Sequence, residues 1–175
     1  PETKIAVDQG NKIFGAFIID KLNLSLVVTG TNNEIINPLY HGEISTLINF
    51  FKLNSLNPKD YYFITSHEPC SLCLSAITWS GFDNFYYFFP HDQTESNFNI
   101  PHDLNIFKEV FNIYRGEYNK KNNYWESHSI IKKIKEISIE DNSILLKKIQ
   151  EIQLKYKELS NKYQKTKISN NIPLK

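Results

Sequence analysis

Apolar residues in the first half of the chain fall into short runs of the kind that form strands. Residues 13–20 (Ile-Phe-Gly-Ala-Phe-Ile-Ile-Asp) and 24–29 are rich in β-branched and aromatic side chains, and Asp20-Lys21-Leu22-Asn23 between them is turn chemistry, so a β-hairpin is predicted. Gly15 inside the first run predicts a bulge or a close backbone approach. A polar stretch opens at Gly30-Thr31-Asn32-Asn33 and runs to Asn37-Pro38, where Pro38 suits the first turn of a helix and Asn37 its cap. Ile44, Leu47, Ile48 and Phe51 then recur at i, i+3, i+4, i+7, the spacing of a helix with one buried face. Residues 54–60 read as a loop and 61–65 as an apolar strand. Pro69 marks a second helix start; Leu72, Ala76 and Ile77 give that helix an apolar side, and Gly81 ends it. Another strand, 84–89, stops at Pro90. The order β-β-α-β-α-β predicts an α/β fold in three layers (α/β/α), with a mixed central sheet of about five strands and a helical C-terminal extension.

The second half is more polar. Residues 91–105 read as a loop over the site edge, 106–114 as a short amphipathic helix and 116–124 as a polar hinge. Two helices are predicted after it, over 125–137 and 140–167. In the second, Leu145, Ile149, Ile152, Tyr156, Leu159 and Tyr163 alternate in steps of four and three, a seam that needs a partner surface. Either this chain's core or another subunit would serve. The division expected is therefore a core over 1–118 and an extension over 119–175.

Charge follows the same division. Residues 1–118 carry seven Lys/Arg and thirteen Asp/Glu, a balance of −6, while 119–175 carry thirteen Lys and six Asp/Glu, a balance of +7. The basic extension reads as a solvated helix face or as a surface that recruits a polyanion such as RNA. With 175 residues, 41% apolar and 14% aromatic, the chain can bury one substantial core. Its two cysteines, two residues apart in a helical pattern, exclude a disulfide framework and match a reducing, cytoplasmic setting. No apolar run approaches the roughly 18–20 residues that span a bilayer, and the first residues show no basic stretch followed by an apolar one.

The candidate chemistry lies at the two predicted helix starts. His41 and, 29 residues later, Cys70 with Cys73 offer one imidazole and two thiolates, a ligand set that suits one zinc ion (Zn²⁺) per chain. Three protein ligands leave the fourth tetrahedral position for water, the catalytic rather than the structural pattern. Glu43 is surplus to the ligand count, and a carboxylate there can carry protons. Cys-x-x-Cys alone is weak, since redox pairs and structural zinc sites share it; its conjunction with His-x-Glu at a neighbouring helix start is what gives it weight. His67, His91, His102 and His128 lack such context and read as ordinary loop residues.

Residues from about 11 to 111 resemble the cytidine deaminase-like superfamily, and within it the nucleobase and tRNA adenosine deaminase branch. The resemblance is carried by Phe14-Gly15-Ala16, Gly30-Thr31-Asn32, His41-Gly42-Glu43 and Pro69-Cys70-Ser71-Leu72-Cys73, in that order; the last two follow the zinc-deaminase signature. Gly42 stands where alanine is commoner, and 41–47 (His-Gly-Glu-Ile-Ser-Thr-Leu) is similar to fungal cytosine deaminases. The resemblance implies zinc on His41, Cys70 and Cys73, Glu43 as proton shuttle, Asn32 hydrogen-bonded to the substrate ring, Phe14 packed on it, and the backbone N–H of Cys70 helping the developing oxyanion. The reaction implied is hydrolytic loss of an exocyclic amine as ammonia from a nucleobase or nucleoside, by a chain that dimerises with its own copy. Residues 68–79, including Trp79, and 103–109, with Asp103, are most similar to guanine deaminases, which makes Trp79 and Asp103 substrate-binding candidates. Cytosine deaminase and tRNA adenosine deaminase are the alternatives; the basic extension favours the second, but Gly81-Phe82-Asp83 stands where its usual arginine would be. A non-enzymatic zinc-binding module for RNA or protein is the reading from another class, and the intact Glu43 argues against it.

Overall fold

The computed structural model describes residues 1–137 and 139–175, and side chains outside 138–142. Among these, five strands form one sheet in the order β2-β1-β3-β4-β5. β1 (Gly15–Asp20) and β2 (Leu26–Thr31) make the expected antiparallel hairpin. Asp20 closes its turn by accepting the N–H groups of Leu22 (2.7 Å) and Asn23 (3.1 Å). β3 (Tyr61–His67) pairs with the other side of β1, again antiparallel, while β4 (Asn84–Phe89) runs parallel to β3 and β5 (Glu126–Ser129) parallel to β4. The sheet is mixed, as the element order predicts.

Helices cover both faces. Side chains alternate along each strand, so Phe85 and Tyr87 leave β4 on one side and Phe88 on the other. The first side packs with α2 (Gly42–Phe51), α3 (Ser71–Trp79) and α5 (His102–Phe111) around Ile18, Leu47, Phe50, Phe63, Ile77 and Phe107. The second packs with α1 (Glu2–Asp8), α4 (His91–Phe98), α6 (Ile130–Glu136) and α7 (Ile139–Thr166) around Val7, Phe89, Phe98, Ile149 and Tyr163. Each fully buried Phe or Ile contributes roughly 1.5–3 kcal/mol.

Several elements depart from the pattern read from the sequence. α2 begins at Gly42, four residues beyond Pro38. Asn37 caps a turn of the preceding loop instead, accepting Leu39 N–H at 3.0 Å, while Asn33 N–H reaches Tyr40 O at 2.7 Å. The stretch 91–105 is not a loop: it holds α4 and the start of α5, ended by Asn99 and Asn112 in the left-handed region (φ 54° and 56°). Its polarity hides these helices because only His91, Thr94 and Phe98 of α4 are buried. The helix predicted over 125–137 is β5 followed by α6. Glu-Ser-His-Ser has little strand character of its own, and β4 supplies the ladder that makes it a strand. α1 lies outside any pattern noted above.

Most of the α7 seam packs on this chain's own second core, with Ile152 left exposed. Ile149, Tyr156, Leu159 and Tyr163 pack into the second core, Ser160 Oγ donates to Phe98 O, and Lys162 pairs with Asp8. Residues 119–175 thus supply one sheet strand and part of the second helical layer.

α2 is set directly on the hairpin. A Cβ on Gly30 would lie 2.4 Å from the backbone nitrogen of Thr46, and one on Gly42 would lie 2.8 Å from Gly15 Cα. Gly15 is therefore the close approach of the two alternatives, and the register shift falls later, between Ile18 and Ile19. Thr46 Oγ1 tightens the contact by donating to Ala16 O at 3.1 Å. Gly30→Ala should destabilise the fold by about 1–3 kcal/mol, the range for overpacking, seen as a lower urea midpoint; an unchanged midpoint would show that α2 can lift from β2 without cost.

Candidate metal centre and active site

The two helices that open on the motifs start at the same place. His41 is the N-cap of α2 and Cys70 the N-cap of α3, both in extended backbone (ψ 161° and 173°) that turns the side chain away from its own helix. Neither side chain caps its helix. Cys73 follows one turn into α3. His41 Nδ1 lies 3.4 Å from Cys70 Sγ and 3.6 Å from Cys73 Sγ, and all three donor atoms lie within 4.8 Å of one another. A tetrahedral zinc with ordinary Zn–N and Zn–S bond lengths spaces a nitrogen and a sulfur ligand by about 3.6 Å. Both cysteines are free thiols, so donor chemistry and dimensions suit such an ion.

The electrostatics match that use. Cys73 S–H donates to Cys70, which with the His41 charge holds Cys70 well below the usual thiol range against its burial; burial pushes Cys73 up. Both lie at the positive end of α3, where a thiolate is favoured. Burial pulls the His41 imidazole down, but the hydrogen bond and charge of Cys70, with Glu34 and Glu43 behind it, carry it up to about 9. Burial, then the Cys70 charge, pushes the Glu43 carboxyl up to about 7, a value suited to passing protons at neutral pH. Positive charge among these groups would lower all four, the condition for thiolate and neutral imidazole ligands.

Behind His41 is a group the sequence reading missed. Glu34 Oε1 lies 3.8 Å from His41 Nε2 and 2.9 Å from Lys12 Nζ, and the Glu34 and Lys12 side chains are only 4% and 5% exposed. Asn32 is buried with them, its Nδ2 donating to Glu34 Oε2 at 2.6 Å. A second missed group is Glu68, just before Pro69. It accepts hydrogen bonds from Tyr118 OH (2.8 Å), Lys120 Nζ and His91 N–H (3.1 Å), and so anchors the start of α3. Neither group has a spacing or periodicity signal: Glu34 draws on Lys12, 22 positions away, besides its nearer partners Asn32 and His41, and Glu68 is met by residues 23 to 52 positions away.

The remaining expected site residues divide. Phe14 is buried beside the start of α2 and meets His67 edge-on at 4.7 Å. The Asp103 carboxyl is raised well above the usual range by burial and by the charges of Cys70 and Glu43, with His41 opposing, which puts it in the same neighbourhood although the residue keeps partial exposure. Trp79 is not brought in: it is 91% exposed at the far end of α3, a helix about 13 Å long. His67, His91, His102 and His128 are not loop residues either. They end β3, begin α4, begin α5 and lie within β5.

The family described as the cytidine and deoxycytidylate deaminase zinc-binding region matches residues 2–89. A tRNA-specific adenosine deaminase of Rickettsia felis is 34% identical over 119 residues, covering 65% of this chain and 78% of the relative. A guanine deaminase of Bacillus subtilis is 32% identical over 101 residues, covering 55% and 62%. Among solved structures, guanine deaminase from Nitrosomonas europaea superposes with TM-score 0.58 at 15% identity, over 93% of this chain and 78% of that one. Guanine deaminase from Bacillus subtilis gives 0.54 at 25% identity, over 69% and 74%.

His67 yields a pH prediction. It sits among Phe14, Phe89, Phe98 and Tyr156, its Nδ1 2.9 Å from Ser66 Oγ, and burial, then the His91 charge, holds it down to about 3. The unfolded chain takes up this proton first, near pH 6.5. The contribution is therefore fully present above that value and is lost at about 1.4 kcal/mol per pH unit as pH falls towards 3. Urea unfolding between pH 6.5 and 4 should show His67→Leu with a shallower slope than the parent, by about one proton. Equal slopes would mean that His67 is not held neutral.

Proposed function

Because the chain belongs to the cytidine and deoxycytidylate deaminase zinc-binding family, we propose that it is a zinc-dependent hydrolytic deaminase that removes the exocyclic amine of a nucleobase or nucleoside. The observation that carries this reading is the convergence of His41, Cys70 and Cys73 at 3.4–3.6 Å beside a buried Glu43. Those three residues would hold one zinc ion, which supplies water activation and Lewis acidity at neutral pH. Glu43 takes a proton from the attacking water and passes it to a ring nitrogen; it then takes the remaining proton of the added hydroxyl and delivers it to the departing amine as the C–N bond breaks. The base and water become the keto base and ammonia. The N–H of Cys70, at the positive end of α3, is available to the oxygen that gains charge.

Guanine is the favoured substrate. The feature that supports it is Asp103, whose carboxyl shares the electrostatic neighbourhood of Cys70, His41 and Glu43 and would accept from the donor edge of guanine while Phe14 packs on the ring and Asn32 bonds it. The likeness to the Bacillus subtilis guanine deaminase supports the same choice. tRNA adenosine deamination is the second reading, favoured by the Rickettsia felis relative and by the basic residues of 119–175. In this scheme residues 1–118 carry the chemistry, and 119–175 close the sheet and cover its second face. The free thiol ligands favour a reducing cytoplasm, and among the described residues no helix is long and apolar enough to cross a membrane.

Ammonia release by the zinc-loaded protein from guanine, cytosine, adenosine and a tRNA anticodon stem tests the choice. Release from guanine is expected. Release from the anticodon stem alone would select the second reading, and silence on all four would leave a binding module. Glu43→Gln should retain zinc and lose about 10²–10⁴-fold in rate.

Two copies are proposed to meet across α3, where Leu72 and Trp79 are exposed on one stripe, seven residues apart. Trp79→Glu should then turn a dimer into a monomer in light scattering without loss of zinc; a parent that is already monomeric would refute this assembly.

A further inference from the structure

We propose that Glu34, held by Lys12, is a positioning residue that sets the proton position and tilt of His41 and the orientation of the Asn32 amide together. The proposal rests on the zinc reading above and assigns a role to two residues outside its ligand and proton-carrier set.

Both oxygens of the carboxylate are used. Oε1 faces Lys12 Nζ at 2.9 Å and His41 Nε2 at 3.8 Å, the latter a contact of charge rather than a hydrogen bond. Oε2 accepts from Asn32 Nδ2 at 2.6 Å. His41 turns Nδ1 towards both sulfurs, so a neutral imidazole ligating through that atom carries its proton on Nε2, the nitrogen facing Glu34. A carboxylate at that edge selects this tautomer and limits rotation of the ring.

The Asn32 amide is fixed by the same group. Its Oδ1 accepts the backbone N–H of Lys12 at 3.2 Å and that of Glu34 at 3.3 Å, while its Nδ2 is pinned to Glu34. Reversing the amide would set an oxygen against a carboxylate and an NH₂ against two N–H donors. Asn32 can therefore offer a substrate only the second hydrogen of Nδ2, and reads an acceptor. Lys12 precedes β1 and Glu34 follows β2, so the ion pair ties together the open ends of the hairpin on which α2 rests. A buried ion pair is weak evidence for stability, since apolar residues of the same volume often do as well; control of two site residues at once is a reason for a charged pair here.

The test uses the full chain with Zn²⁺ and Co²⁺ as probes. Zinc affinity is measured by competition with a chromogenic chelator, and ligand geometry by the d–d absorption of the Co²⁺-loaded protein. Two variants are compared with the parent: Glu34→Gln, and Glu34→Gln with Lys12→Met, which leaves no unpaired buried charge and keeps the test open if the single variant folds poorly. Both should bind zinc about 10–100-fold more weakly and shift the Co²⁺ bands, while the double variant unfolds at a temperature close to the parent's. A role confined to stability would lower the unfolding temperature and leave affinity and spectrum unmoved. Parent-like spectra with affinities within about twofold in the double variant would overturn the proposal while leaving the zinc reading intact. A parent that binds neither ion would overturn both.

Discussion

The contact on which the rest depends is a close approach of backbones: α2 lies on the β1–β2 hairpin at two positions that only glycine can occupy. At Gly30 and Gly42 there is no room for a Cβ, and Thr46 hydrogen-bonds straight to the β1 carbonyl of Ala16. That closeness determines where the first turn of α2 stands relative to the sheet, and with it His41 and Glu43. The start of α3 is set from the other side, by the end of β3 and by the Glu68 cluster that ties Pro69 and Cys70 to α4 and to the segment around Tyr118. Two helix beginnings fixed independently to one sheet bring two thiols to within 3.6 Å of one imidazole nitrogen. No loop has to be ordered to assemble the ligand set, which is the condition for a preorganised centre.

Charge is arranged in layers about that point. The thiols lie at the positive end of α3; Glu43 is buried and raised towards neutral; Glu34 and Lys12 close the far side of His41. The carboxyl and the thiols are held differently because their environments differ: Glu43 is desolvated and near the charge of Cys70, whereas Cys70 receives a hydrogen bond and faces His41. The same sheet holds a neutral histidine, His67, within an aromatic shell only three residues before Cys70. Asn32, Glu34 and Lys12 are committed to one another, and that commitment fixes the orientation of the Asn32 amide.

The hairpin and the β4 run 84–89 were legible as apolar, β-rich runs. The period Ile44-Leu47-Ile48-Phe51 marked α2 as a helix but not its buried face: of the four only Leu47 is buried, Ile48 and Phe51 are exposed, and Gly42, Glu43, Thr46 and Phe50 face inward instead, because the close seat of α2 on the hairpin turns that side to the sheet. α4 and β5 were not visible, because their residues are polar and their identity comes from neighbours: β4 makes a strand of Glu-Ser-His-Ser, and the second core makes a helix of His-Asp-Gln-Thr. The α7 seam was legible as a seam, but its partner was not, since an apolar stripe states only that something covers it.

For the site, His41, Glu43, Cys70 and Cys73 are adjacent in motifs, and ligand chemistry alone singles them out. The sequence by itself determined that donor set and the α/β frame that carries it, because both follow from residue type and short-range spacing. Only the tertiary structure decided that Glu34 and Lys12 stand behind His41, that Glu68 anchors the start of α3, and that Trp79 faces outward. The Lys12–Glu34 pair and the Glu68 cluster are contacts made across tens of residues, and the direction of Trp79 depends on which face of α3 the core covers; these follow from how the layers pack, and no local pattern encodes them.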